Sequence, residues 1–339
     1  MTPSVPTDYT DATEDAIREE VLEGLGRAVN EEIEEDKRRA LTETEQEKLL
    51  YFAVKEFDLP VTYSWYLAGA KANAHEGSAN VFIDAPNTPP EPSIDDGERL
   101  TGTPESVEEY KMYFLETTFF ADYTLRNVNF TGKTEFLCDF YEHECSDKYK
   151  DLYIASAKFR GKLEDAVDKA WNRIDSQETV TPILSHEEER ELKDLLTTIQ
   201  IELLQIDGLN HCREAFKNGV DEIEAAITAL SNTPTITDDQ HELLEDIEDY
   251  YYETVWKYPA LKISAETVTG PAAPDVRKHR LSRFKTFEKD TLYAETDETD
   301  GTDETNKTDG IEDIRDRRRE EGLVASISGF EESTDSLVM

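Results

Sequence analysis

Cysteine is scarce in this chain: three in 339 residues, at Cys138, Cys145 and Cys212. That is too few for a disulfide scaffold. Cys138 and Cys145 stand seven apart, with Glu142 and His143 between them, which does not match the close Cys spacing and four-ligand closure of a zinc site. Small buried thiols on helix faces are the favoured reading. Long apolar runs are also missing, so no stretch approaches the ~20 residues needed to cross a bilayer. Residues 1–6 lack the basic start and apolar stretch of a signal peptide. Neither a membrane protein nor a secreted disulfide module is therefore expected, and the expected location is the cytoplasm.

Catalytic signatures are lacking too. Glu follows His at His75, His143, His186 and His241, but the positions four residues after each His hold Ala79, Asp147, Arg190 and Glu245. A zincin needs a second His there, so that both imidazoles share one helix face. There is no Gly-x-Ser-x-Gly elbow and no phosphate loop ending in Gly-Lys-Ser/Thr. Glu109-x-Lys111 is half a nuclease signature, but it falls on an expected helix. No catalytic residue, metal ligand or cofactor is assigned.

Positive charge is in short supply: 36 Lys and Arg face 77 Asp and Glu, a net charge of -41. Self-repulsion of that size opposes compaction in dilute buffer. It is tolerable in molar salt, where the Debye length falls to ~3 Å. Because the acids are spread along the whole chain, a halophilic origin is favoured over an acidic scaffold with a solvating tail.

What is present is helical periodicity. Ile17, Val21, Leu22, Leu25, Ala28, Val29 and Ile33 form one stripe of a helix at 12–38. Thr44 and Glu47 have capping-box spacing ahead of a helix at 45–57 that carries Leu50, Ala53, Val54 and Phe57 on one face. Residues 61–70 read equally as a strand, from the alternation of Val61, Tyr63 and Trp65, or as a short helix capped by Thr62. Helices follow near 104–117, 133–144 and 147–174, with a turn at 127–133. The strongest patterns are at 186–206, 210–231 and 237–257, and their short connectors imply antiparallel neighbours in a bundle. Pro259 is expected to end that region.

The fold class is thus all-α for the most part: a multi-helix bundle with a long irregular loop and a disordered acidic C-terminal tail. The expected organisation is a disordered start (1–10), an N-terminal helical unit (11–75), a loop (76–103) with one short strand at 81–83, a helical bundle (104–258), a linker and basic segment (259–293), and the tail (294–339). The tail is low in complexity and cannot bury enough apolar surface to offset its ordering entropy. Its cluster of Arg315, Arg317, Arg318 and Arg319 lies among acids and is expected to be solvated.

Two groups of residues are candidates for binding. The aromatic cluster of Tyr51, Tyr63, Trp65 and Tyr66 is either a partner groove or, more in keeping with a core, the packed centre of the N-terminal unit. Arg277, Lys278, Arg280, Arg283 and Lys285 form the one concentrated basic patch, with Phe284 and Phe287 interleaved. They would contact nucleic acid or an acidic partner, or dock on the protein's own acidic body with the Arg stems covering apolar surface. Counterion release weakens a bare charge patch as a nucleic-acid handle at high salt, so self-docking is favoured.

The stretch Lys48-Leu49-Leu50-Tyr51-Phe52-Ala53, then Val61-Thr62-Tyr63-Ser64-Trp65-Tyr66-Leu67-Ala68-Gly69, resembles uncharacterised haloarchaeal proteins, as do Tyr250 to Lys262 and Thr269-Gly270-Pro271 with the basic run. More distantly, residues 46–70 resemble the Panacea, or SocA-like antitoxin, domain, which is helical and associated with toxin neutralisation and proteolytic adaptor work. Its aromatic-Gly-Pro turn is replaced here by Leu67-Ala68-Gly69-Ala70, so no functional residue carries over. The expected function is non-enzymatic protein interaction, antitoxin- or defence-like, with another protein as partner, no membrane and an open oligomeric state. The runner-up is a DNA-binding regulator, with 45–57, the turn at 58–61 and the following segment as a helix-turn-helix-like pair assisted by residues 277–289.

Overall fold

Every residue from 45 to 54 is buried, charged and apolar alike, so α2 (Glu43–Glu56) is enclosed on all sides. A helix read from its sequence as amphipathic is thus a central element. The computed structural model describes residues 11–33, 41–72, 107–176, 182, 184–209, 212–232 and 238–292. The expected loose start at 1–10, the loop at 76–103 with its strand at 81–83, and the tail at 294–339 lie outside the described residues. Among the described residues the chain is almost wholly helical, with one two-stranded sheet. The described residues divide into two compact units, one drawn from residues 1–145 and 261–282, the other from residues 146–260 and 283–339.

In the first unit, α1 (Asp11–Glu32) buries the whole expected stripe from Ile17 to Ile33. It lies against α3 (Val107–Glu116). Gly24 permits that approach, because a Cβ there would stand 2.5 Å from Tyr110 Cβ. The cap of α2 is Thr42 with Glu45, not Thr44 with Glu47. Thr42 Oγ1 accepts the Glu45 N–H, and the Glu45 carboxylate accepts the Thr42 N–H at 2.8 Å. Glu47 is unavailable for capping because it lies inside the helix, 2.5 Å from Arg18.

The ambiguous segment at 61–70 is a hairpin. β1 (Tyr63–Tyr66) pairs antiparallel with β2 (Gly69–Ala72). On its other edge, Tyr63 exchanges both backbone hydrogen bonds with Thr269, each 3.0 Å. The expected turn at 127–133 instead holds α4 (Leu125–Phe130), started by the Thr124 side chain, which accepts the Asn127 N–H. Then comes α5 (Lys133–Glu144), where the sequence placed it.

In the second unit, α6 (Lys150–Ser176) packs against α7 (His186–Gln205). The two are antiparallel, since Lys162 pairs with Glu191 and, farther along α6, Lys169 pairs with Glu188 at 2.6 Å. α8 (Arg213–Asn232) packs on α7, and α9 (Asp238–Tyr250) packs on α6. Leu192, Leu196, Ile199 and Leu203 on α7, Phe159 on α6, Phe216 and Ile223 on α8 and Ile247 on α9 are all buried. α9 widens into a π-helical turn at Tyr251–Val255, where the Trp256 N–H reaches the Tyr251 carbonyl at 2.7 Å.

Pro259 does not end the helical region. It sits in the first turn of α10 (Lys257–Thr267), where its missing N–H costs little. The basic segment likewise belongs to a helix, α11 (Ala273–Leu292), rather than to a linker.

Candidate functional site

Three of the four candidate aromatic residues face inward. Tyr51, Trp65 and Tyr66 are 5%, 8% and 7% exposed, and Tyr63 is half-buried. Tyr51 meets Tyr63 and Phe140 edge-on at 5.3 and 5.8 Å, and Trp65 stacks on Phe140 at 5.7 Å. The cluster is a core, and the open-groove reading of it does not stand. Alternation along β1 fails to give an exposed face because the hairpin is covered on both sides. Ser64 bonds Ser264 at 2.9 Å, the Trp65 N–H donates to Thr267 Oγ1, and Arg280 lies over the Tyr66 ring at 4.0 Å.

The basic patch is divided by its helix. Lys278 and Lys285 are exposed and Arg283 is half-buried. Arg277 donates to the carbonyls of Ala265 and, at 3.4 Å, Val268, near the C-terminal end of α10, where carbonyls lack helical partners. Arg280 is only 2% exposed, and burial lowers its pKa. Phe284 stacks on Tyr258 at 4.7 Å. Two of the five candidate cations are therefore engaged by the protein itself, Arg280 buried and Arg277 exposed but bonded to backbone carbonyls. The helix-turn-helix-like unit fails as well, because the element after the turn at Asp58 is a strand.

Sequence reasoning passed over the polar groups buried around the hairpin. Glu14, 2% exposed, accepts the Thr62 N–H at 2.7 Å and the Thr62 hydroxyl at 2.8 Å, and Thr62 Oγ1 accepts the Ala272 N–H at 2.8 Å. Lys48 is 1% exposed, donates from Nζ to the Ala70 carbonyl at 2.6 Å and lies 5.7 Å from the Phe140 ring centre. Burial pushes its pKa down to about 7 against the opposing pull of Glu47. No periodicity marks these positions, since they occupy what reads as the polar face of an amphipathic helix. Of the cysteines, Cys145 and Cys212 are buried and Cys138 is half-buried.

On α7 the surface is of a different kind. Ile201 and Leu204 are 47% and 43% exposed, one turn apart, and exposed Thr197, Thr198 and Gln205 adjoin them. This makes an uncharged outward stripe in a chain with 77 acids. Beside it stands Glu202, whose pKa is raised by burial and then by the negative charge of Asp151 on α6. Exposed Asp207 lies just past the helix end. The signal was present in the sequence: Ile201 and Leu204 fall off the apolar stripe of 192, 196, 199 and 203.

A family model described as a domain of unknown function, DUF8098, matches residues 6–303. The chain belongs to that family. The match takes in α1 to α11, and so the buried hairpin, the basic helix and the α7 stripe of this DUF8098 member. No curated protein matches the chain, and no solved structure does. None of the helices among the described residues is long and apolar enough to cross a membrane.

Proposed function

We propose that this DUF8098 member is a non-enzymatic protein-interaction protein of a salt-rich cytoplasm, and that it binds its partner through the outer face of α7. The observation that carries this reading is the exposed pair Ile201 and Leu204. Covering a Leu or Ile side chain fully is worth ~1.5–3 kcal/mol, and single exposed apolar residues are ordinary. Two residues one turn apart, flanked by uncharged positions, form the anchor pattern of helix recognition. An antitoxin- or defence-like role draws on the resemblance of residues 46–70 and needs the partner's identity.

The test is affinity purification from lysate of the source cells in molar KCl, comparing wild type with the double variant Ile201→Asp plus Leu204→Asp. Wild type should retain one stoichiometric protein. The variant, with unchanged circular dichroism, should bind it about 100-fold more weakly, the loss of ~2.7 kcal/mol expected when two anchors are removed. Equal retention by both proteins would remove α7 as the binding face.

The salt-rich setting follows from the net charge of -41. Raising KCl from about 0.1 M to about 3 M collapses the Debye length from ~10 Å to below ~3 Å. The thermal midpoint should then rise by roughly 10 °C or more, equivalent to ~3 kcal/mol for a chain of this size. A midpoint that stays level or falls with KCl would point to an acidic protein of ordinary cells.

A further inference from the structure

Along the α6–α7 pair the facing residues carry opposite charges: Lys169 meets Glu188 at 2.6 Å, and Lys162 meets Glu191. The pattern inverts at the end of α7. There Glu202 has Asp151 of α6 beside it, and burial, then that negative charge, raise its pKa. Among the described residues no ion pair reaches either carboxylate. The lysines just before Asp151 are engaged elsewhere: Lys150 lies 3.3 Å from Asp147, and Lys148 Nζ lies 4.7 Å from the Tyr149 ring centre. Exposed Lys158 stands two turns along α6, roughly 10 Å of helix rise away. Next to these acids, on α7, are the exposed side chains of Ile201 and Leu204.

We propose that the partner of α7 presents an amphipathic helix, with aliphatic side chains over Ile201 and Leu204 and an arginine or lysine against Asp151 and Glu202. Such a partner presupposes the α7 interface described above and gives it a chemistry.

Charge selects this occupant. An aliphatic helix alone would cover the apolar pair and leave two like charges at its edge in a medium of lower dielectric, where their repulsion grows. A guanidinium carries five donors and can serve both carboxylates. A second copy of the chain fits poorly. Laid on the same face, it would bring another Asp151 and Glu202, with exposed Asp194 and Asp207, against the first set. The basic helix α11 of a second copy cannot supply the occupant either, because Val276, Arg280 and Phe284 on its inner face are buried within its own chain. Contact ion pairs about 3 Å long are no longer than the Debye length of 1 M salt, so the pairing holds where long-range attraction is gone.

Two helical peptides of about sixteen residues serve as probes, with binding to the full chain followed by fluorescence anisotropy in ~1 M KCl. Both carry leucines at steps of three and four. One adds two arginines on the leucine face, and the other has glutamates at the same positions. The arginine peptide should bind wild type about tenfold more tightly than the glutamate peptide, the effect of ~1.4 kcal/mol from charge-assisted pairing. Asp151→Asn plus Glu202→Gln, with unchanged circular dichroism, should erase that difference. Ile201→Asn plus Leu204→Asn adds no charge and should weaken both peptides by about tenfold or more. A preference for arginine that is absent in wild type, or that survives Asp151→Asn plus Glu202→Gln, would overturn the cationic partner. So would an arginine peptide that fails to bind at about 1 mM. If the partner retained from lysate still depended on Ile201 and Leu204, the α7 interface would then stand with a partner of other chemistry. Peptides that bind Ile201→Asn plus Leu204→Asn as tightly as wild type would instead remove α7 itself. Sedimentation equilibrium in the same salt covers the remaining occupant: a dimer that dissociates in this apolar variant would give the face to a second copy and overturn the proposal.

Discussion

Replacing Lys48 by Met should stabilise the protein, and the gain should shrink as the pH rises from 7 towards 10.5. Lys48 is 1% exposed, and burial lowers its pKa from 10.5 to about 7. Between those values the unfolded chain binds the proton more readily than the folded one. The wild type therefore gains stability as pH rises through this window, and below pH 7 the whole cost of burying the ammonium is present. At about 1.4 kcal/mol per pKa unit the cost is roughly 5 kcal/mol. Methionine fills similar space without charge but forfeits the hydrogen bond to the Ala70 carbonyl, a charge-assisted contact worth ~2 kcal/mol. The expected net gain at pH 6 is about 3 kcal/mol, in line with other replacements of buried ions by apolar groups. Tyr51, pushed up to about 12 by burial, makes the wild type lose stability above pH 10. Comparing Lys48→Met with wild type at each pH cancels that effect. Thermal unfolding at pH 6 and pH 9.5 decides the matter. A variant equally destabilised at both would mean that the hydrogen bond to Ala70 outweighs the burial of charge.

Gly270→Ala should cost about 3–5 kcal/mol, from backbone strain and overpacking together. Gly270 has φ +113°, and a Cβ there would lie 2.5 Å from Thr62 Cα and 2.8 Å from the Val61 carbonyl oxygen. Both atoms are backbone, so no side chain can swing aside. The residue also sits where several ties meet: Thr269 pairs with Tyr63, Ala272 donates to Thr62 Oγ1, and Thr62 is held by Glu14. Pushing the 269–272 segment outward would break the bridge to β1 and the hydrogen bond from the Ala272 N–H to Thr62 Oγ1. Gly132→Ala is the control. No atom lies within 4 Å of a Cβ there, and the cost should stay under about 1 kcal/mol. Two glycine variants with the same unfolding midpoint would show that the contact at Thr62 relaxes freely.

Much of the fold was legible in the sequence because a helix writes its buried face into the chain at steps of three and four. The stripe of α1 from Ile17 to Ile33 and that of α7 from Leu192 to Leu203 are buried as read. The bounds of α5 were also legible. Where the signal depended on a choice between local interactions, it was less complete. Thr42 took the capping role because Glu47 was claimed by Arg18, and Pro259 sits inside a first turn rather than beyond an end. The hairpin at 63–72 could not be told from a helix, because its pleat is hidden by burial on both sides.

The candidate residues were less legible than the elements that carry them. Composition located the basic run, but it could not show that Arg280 lies over Tyr66 or that Arg277 serves the end of α10. It located the aromatic residues without showing that Tyr51 and Trp65 close on Phe140.

By itself the sequence determined the helical class, the extreme acidity, and which stripe of α1 and of α7 is apolar, because these depend only on residues near one another in the chain. The tertiary structure alone decided that Glu14, Arg18, Glu47 and Lys48 are inside and that α2 is covered on every side. Burial is set by neighbours supplied from distant parts of the chain, and a polar residue enclosed by them bears no periodic mark of its own.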